Sequence, residues 1–368
     1  MINEAALKTY LKKKFNVPQV DIRKLGSGVQ GSGFLVEMAT AEGIKSYVLK
    51  DLIPGGLGHD YPSDRAAVFL LDLDEYNNLP KHVKAIDVLA EKENGSIISI
   101  GGGKEYYLLM EQGKGRDYFH DLNEFSGKDR LGVPDIRKIE SMTSYLAEIH
   151  SVKKDSRTLY RRKIRDTIGH GECLMGVLDT YPDGTLSYRE MAEIEKKTVE
   201  WRARLKPKYK RLCRIHGDFH PGNIWFTSKE TGIEETAESH RRVTASPSPP
   251  DIDFILLDRS RGPWGEPADD VTALTINYIF FSVKHHGEVK GPYLEGLKLF
   301  FDDYVRQTGD SEIYSVVQLF YAFRGVVVAN PVFYPELTSE QRGLIFRFIN
   351  NVLDSERFEV EKVNEYLG

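Results

Sequence analysis

Apolar and polar positions follow two different rhythms along this chain, and the change between them divides it. Residues 3–15 have helical spacing and read as a short helix. From Val20 the pattern shortens to alternating runs rich in β-branched and aromatic residues, DIRKLGSG, GFLVEMAT and KSYVLKDL, separated by glycines. Such runs predict an antiparallel sheet. Residues 63–79 read as a helix with Ser63 as its N-cap and Pro80 beyond its end. Two further strands are expected around SIISI and EYYLLM, with Gly101 to Gly103 as the turn. Beyond residue 118 the period becomes helical. In 134–151, Ile136, Ile139, Met142, Leu146 and Ile149 share one face, and 187–205, 270–286, 291–307, 311–327 and 338–353 read as further helices. Two short strands, RLCRIHGD and FILLD, interrupt them. The expectation is an α+β fold: a β-rich region over 1–110, a hinge at 111–117 and a helical region over 118–368.

Composition changes this picture little. Hydrophobic residues make up 40% and charged residues 29% of the 368, as in an ordinary soluble globular protein. The net charge of −5 argues against a broad nucleic-acid footprint. No apolar run is long enough to span a bilayer and the N-terminus lacks an apolar leader core, so a cytoplasmic protein without a membrane partner is expected. Cys173 and Cys213 cannot build a disulfide framework. Residues 227–251, rich in Ser, Thr, Glu and Pro, read as a long polar insert.

The chemistry concentrates in His216-Gly217-Asp218-Phe219-His220-Pro221-Gly222-Asn223, which lies between the two short strands. An Asp followed five residues later by an Asn is the spacing of the protein-kinase catalytic loop, where the Asp accepts a hydroxyl proton and the Asn binds Mg²⁺. Upstream, Gly26-Ser27-Gly28-Val29-Gln30-Gly31 is a G-x-G-x-x-G that runs into a strand and not into a helix. A strand–loop–strand of this kind lays backbone N–H groups over ATP phosphates, whereas a dinucleotide fingerprint would open a helix. Lys50 ends a strand 19 residues after Gly31.

The segment HGDFHPGN resembles the catalytic loop of the aminoglycoside phosphotransferase and choline kinase superfamily, nearest its aminoglycoside phosphotransferase members. The resemblance spans residues 20–330 and implies a bilobed protein-kinase-like fold and an ATP-dependent kinase acting on a small-molecule hydroxyl, with GTP as the alternative nucleotide. It implies Asp218 as the catalytic base, and Asn223 with a later Asp as Mg²⁺ ligands. Asp253 and Asp258 both compete for that last role. Counting from Asp258, the family's Gly-Glu-Pro element falls on Gly265, Glu266 and Pro267, and its bracing aspartate on Asp270; from Asp253 nothing aligns. The metal segment is therefore 258–270. Gly26, Ser27, Gly28, Gly31 and Lys50 would hold the triphosphate. Glu75, with Asp72 and Asp74 as alternatives, would partner Lys50, and Glu111 to Gly113 would offer backbone groups to adenine. The chain departs from the family in the insert at 227–251, and in Arg259 and Arg261 after the metal aspartate. Those arginines are either solvated or face a phosphoryl group or an anionic substrate, and Arg324 is either a pocket residue or a buried ion-pair partner. Two other readings compete. One is a protein kinase, disfavoured because only eight residues separate Asp258 from Pro267. The other is a nucleotide-binding pseudokinase. Oligomeric state is not legible.

Overall fold

The computed structural model describes residues 3–28, 31–55, 57–78, 80–227, 252–259 and 261–368. The chain divides into two compact units, Met1–Met110 and Glu111–Gly368. The insert read over 227–251 lies outside the described residues except for Thr227, as do Val29, Gln30, Leu79 and Ser260.

In the first unit, helix α1 (Glu4–Phe15) is capped by Asn3, whose side chain accepts from the Ala6 N–H. Strands β1 (Val20–Ser27), β2 (Ser32–Thr40) and β3 (Gly43–Lys50) form an antiparallel meander. Leu7 and Leu11 of α1 pack on Val20, Val36 and Met38, giving this unit its small core. Helix α2 (Pro62–Tyr76) starts one residue earlier than the sequence suggested: Pro62 occupies its first turn and Tyr61, not Ser63, is the cap. The fixed φ of proline suits that first position.

Strands β4 (Leu89–Glu91) and β5 (Ile97–Ser99) pair with each other, Leu89 opposite Ser99. EYYLLM forms no strand, and Tyr106 to Met110 are exposed. The reason is local. Asn94-Gly95, with Gly95 at φ 77°, closes a tight turn in which the Lys92 N–H donates to the Ser96 carbonyl. Asn-Gly is a strong hairpin signal, and it ties 97–99 to the segment before it and not to the one after Gly103.

The second unit is mainly helical. Its strands are β6 (Arg116–Asp117), β7 (Cys213–Arg214), β8 (Ile224–Thr227), β9 (Asp253–Leu256) and β10 (Trp264–Gly265). They form two small ribbons, β6-β8-β9 and β10-β7. Helices α3 (Tyr118–Glu124), α4 (Val133–Ser151), α5 (Arg157–Gly169), α6 (Leu174–Leu178) and α7 (Tyr188–Leu205) precede the strand pairs β7-β10 and β8-β9. Helices α8 (Pro267–His286), α9 (Gly291–Thr308), α10 (Val317–Val328), α11 (Ser339–Asp354) and α12 (Val363–Leu367) follow. The axis of the unit is α8, buried without interruption from Pro267 to Val283. The helix expected over 311–327 is split: Ser311–Ser315 is a 3₁₀ turn, and α10 begins at Val317. Both cysteines are buried free thiols. No helix among the described residues is long and apolar enough to cross a membrane. The fold is thus α+β, a small antiparallel-sheet unit followed by a larger helical one.

Candidate active site

The loop 216–223 is held from beneath by the first turn of α8. Asp270 is fully buried, and its carboxylate accepts from the backbone N–H groups of His216 at 2.7 Å and Gly217 at 2.8 Å. His150 of α4 contacts the same carboxylate at 3.3 Å and reaches Tyr304 OH at 2.8 Å. Asp270 therefore braces the loop, as the resemblance implied, and His150 packs behind it. Gly217, at φ 90°, lets the backbone turn there without a Cβ clash. Past Asp218 the chain closes a 3₁₀ turn, Pro221–Asn223, and enters β8.

Asp218 is the most strongly opposed charge on the loop. Its Oδ1 accepts from Arg324 Nη1 of α10 at 2.7 Å and from Arg261 Nη1 at 3.0 Å. Among the described residues Oδ2 has no hydrogen-bond partner; His220 Nε2 stands 3.9 Å away, beyond hydrogen-bond range. One carboxylate oxygen is thus held by guanidinium groups and the other is left open. Burial alone would raise the Asp218 carboxyl, but Arg324, Arg261 and His220 outweigh it and hold the group below its ordinary value. Burial lowers His220 and His216 in spite of the neighbouring carboxylates, so both favour the neutral imidazole.

Arg324 is itself buried. It also donates to Gly217 O at 3.2 Å and Asp269 Oδ1 at 2.9 Å. Lys163 Nζ of α5 lies 2.5 Å from Asp269 Oδ2, so that Asp269 joins α5, α8 and α10 in one ion cluster. The guanidinium groups of Arg324 and Arg261 lie 4.7 and 5.3 Å from the Phe323 ring centroid. Glu266, at the start of α8, is fully buried between Tyr160 OH at 2.8 Å and Arg211 at 2.8 Å.

Asn223 and Asp258 are neighbours across a ladder. Ile224 pairs with Leu256, and the Leu257 N–H donates to Asn223 O at 3.0 Å, which puts Asp258 one residue beyond Asn223's partner. Asn223 Nδ2 donates to Asp218 O at 3.0 Å, so its amide oxygen is the atom left for a cation. Asp258 is exposed and adopts φ 42°, uncommon for a non-glycine residue. An amide oxygen and a carboxylate are the hard donors that Mg²⁺ takes, so this pair fits the ion the resemblance implied. Asp253 pairs with Thr227 at the opposite end of β9, five residues from Asp258 or about 16 Å of extended chain. Gly113 lies against Leu257: a Cβ there would meet Leu257 Cδ2 at 2.8 Å. Glu111 is exposed at the start of this unit.

The remaining sequence-derived residues sit in the first unit. Gly26 pairs with Gly33 and Ser27 with Ser32, and the Gly28 N–H donates to Gly31 O at 2.8 Å, so the glycine loop is the tip of the β1-β2 hairpin. A Cβ on Gly31 would lie 2.0 Å from Asp51 O. Lys50 pairs with Gly33 and therefore ends β3 beside that hairpin. Glu75 is exposed in the last turn of α2, and among the described residues no ion pair joins it, Asp72 or Asp74 to Lys50. Sequence reasoning missed the Lys163–Asp269 pair. It left Arg324 open, although an arginine in the apolar run FYAFRGVVV was itself the signal.

A loop carrying an aspartate, braced by a carboxylate on the helix that follows, with an Asn just before β8 and an Asp just past β9, is the outline of a phosphotransferase. The chain belongs to the APH family of phosphotransferase enzymes, which it matches over residues 21–233, more than half its length. The matched span includes the glycine hairpin and the loop 216–223 and ends before Asp258. Similar solved structures include an ethanolamine kinase of Plasmodium vivax, with 12% identity, TM-score 0.35, and coverage of 97% of this chain and 84% of that one. A choline kinase of Cryptosporidium parvum has 13% identity, TM-score 0.31, and 99% and 92% coverage. A glucosamine kinase in complex with glucosamine, ADP and inorganic phosphate has 12% identity, TM-score 0.26, and 100% and 70% coverage. No curated protein matches the chain.

Proposed function

We propose that this phosphotransferase moves the γ-phosphoryl group of ATP to a hydroxyl of a small molecule, with Asp218 as the general base. The observation that carries the reading is the asymmetry of the Asp218 carboxylate: Oδ1 is fixed by two arginines and Oδ2 is open. A base held on one side and free on the other can orient a hydroxyl and take its proton. The hydroxyl oxygen bonds to the γ-phosphorus while the bond to the bridging β–γ oxygen breaks. ADP leaves, and the hydroxyl proton goes to Asp218 Oδ2. Phosphoryl transfer asks a protein mainly for positioning and charge neutralisation. Asn223 and Asp258 would hold Mg²⁺, which when bound neutralises phosphate oxygens. Lys50 and the backbone of Gly26, Ser27, Gly28 and Gly31 would bind phosphates, and Glu111 to Gly113 would meet the base. Glu75 as a partner of Lys50 remains part of this proposal. Asp218→Asn keeps the shape of the site and removes the base. It should lower kcat by at least ~10²-fold while Mg·ATP binding, followed by calorimetry, is retained. Near-normal ADP release by that variant would overturn the assignment.

A further inference from the structure

Within that reading, we infer that the acceptor carries an anionic group, a carboxylate or a phosphate, and that Arg261 is the residue that reads it.

The inference starts from how the Arg261 side chain is used. Only Nη1 is engaged, donating to Gly217 O at 3.2 Å and Asp218 Oδ1 at 3.0 Å. Nε is buried and, like Arg324 Nε, has no acceptor among the described residues. Among the described residues nothing accepts from Nη2 either. The Nε–Nη2 edge of a guanidinium meets a carboxylate or phosphate in two parallel hydrogen bonds. A buried N–H left unpaired is costly, and native structures seldom keep one without a ligand or water to satisfy it. Here the unspent edge belongs to a side chain already in contact with the proposed base.

The charges around it point the same way. Asp218 and Asp269 face Arg261, Arg324 and Lys163, three cations against two carboxylates. The third nearby carboxylate, Asp270, is taken up by two backbone N–H groups and His150. An ammonium-bearing acceptor would have to place its cation beside the guanidinium groups of Arg261 and Arg324, which share Asp218. An acid would complete the pairing. The backbone supports a dedicated role: Arg261 sits at φ 58°, a left-handed conformation that costs a non-glycine residue energy and that clusters at functional sites. The Phe323 ring beneath both guanidinium groups keeps them in place without using their donor edges.

The test is turnover and binding with matched acceptors: gluconate, glycerate and glycerol 3-phosphate against glucose and glycerol, and against choline and kanamycin, followed by ADP release. The expected result is turnover concentrated among the acids. Arg261→Gln should raise KM for the best acid about ten- to hundredfold, the scale of a lost charge-assisted pair, with KM for ATP unchanged. Arg261→Lys, which keeps the charge but not the fork, should recover part of that loss. Thermal unfolding of both variants establishes that they are folded. Preferential turnover of choline, kanamycin or a neutral alcohol would overturn the inference. So would a Gln variant whose KM rises for ATP and not for the acceptor, which would give Arg261 to the transferred phosphoryl group. If no acceptor is turned over, calorimetry of gluconate, glycerate and glycerol 3-phosphate with Mg·ADP present decides: equal affinity for wild type and Arg261→Gln overturns it. Failure of the kinase reading looks different, because wild-type protein would then not bind Mg·ATP at all.

Discussion

Asp269 shows how much a single residue of this site depends on its neighbours. Burial would push its carboxyl up, yet Lys163, Arg324 and Arg261 hold it well below the ordinary carboxylate range. The sign of the consequence follows from linkage. A depressed native value contributes stability that is full above the unfolded value, about 3.9, and is lost as pH falls below it. Asp269→Asn should therefore cost about 3–5 kcal/mol at neutral pH by leaving Lys163 and Arg324 uncompensated. The gap to wild type should narrow below about pH 4; chemical denaturation at pH 7 and pH 3.5 measures it. A gap that stays constant across that range would mean that Asp269 is not ionised in the native state. At this scale legibility depended on sequence spacing. Asp218, Asn223, Asp258 and Asp270 lie within two short segments, so the family resemblance could align them by their separations. The partners of Asp269 come from α5 and α10, 106 and 55 residues distant in the chain from Lys163 and Arg324 respectively. No local pattern records such a contact.

Elements were legible where burial imposed a period and illegible where something else decided. Helix α4 was read from one apolar face, and its Ile139, Met142 and Leu146 are fully buried. Helix α5 was not read, because RTLYRRKIRDTIG hides its few apolar positions among charges, one of which, Lys163, points inward to Asp269. EYYLLM misled for the opposite reason: five consecutive apolar residues define no face. Close approach between elements is written in single glycines. On α10, a Cβ at Gly325 would lie 2.5 Å from Ile349 Cγ1 of α11. Gly325→Ala should then force the helices apart, costing about 1–3 kcal/mol. Because Gly325 is adjacent to Arg324, it should also lower kcat more than KM, by loosening the hold on Asp218 Oδ1. Denaturant midpoints and steady-state kinetics test both parts, and an unchanged midpoint would show that the helix contact has slack. The glycine hairpin offers a parallel case. Gly31→Ala places a methyl group on Asp51 O and should weaken Mg·ATP binding, with little effect on acceptor KM measured at saturating nucleotide.

The two units differ in how much apolar surface each buries, and this should govern how the whole molecule opens. In the second unit one continuous core runs through α4, α5, α8, α9, α10 and α11, and α8 alone contributes a run of seventeen buried residues from Pro267 to Val283. Among the described residues the first unit's core cluster holds six buried side chains, with Leu52 and Val88 buried outside it; α2 has no buried residue, and Ile44 and Val48 of β3 are exposed. Hydrophobic burial is the dominant favourable term in folding, and regions with few buried apolar contacts open at lower free energy than the global transition. Amide hydrogen exchange under native conditions should therefore find α8 and α10 exchanging only through global unfolding. The amides of β1 to β3 and α2 should exchange through a smaller, separate opening. Mg·ATP should slow exchange in β1 to β3, because a ligand that binds only the closed form stabilises it in proportion to RT ln(1 + [L]/Kd). Asp218→Asn should keep that nucleotide-dependent protection while losing turnover, since the hairpin and Lys50 belong to the first unit and Asp218 to the second. If β1 to β3 were as protected as α8 without nucleotide, or indifferent to it, the hairpin would not be a nucleotide-binding element and Lys50 would have no phosphate to hold.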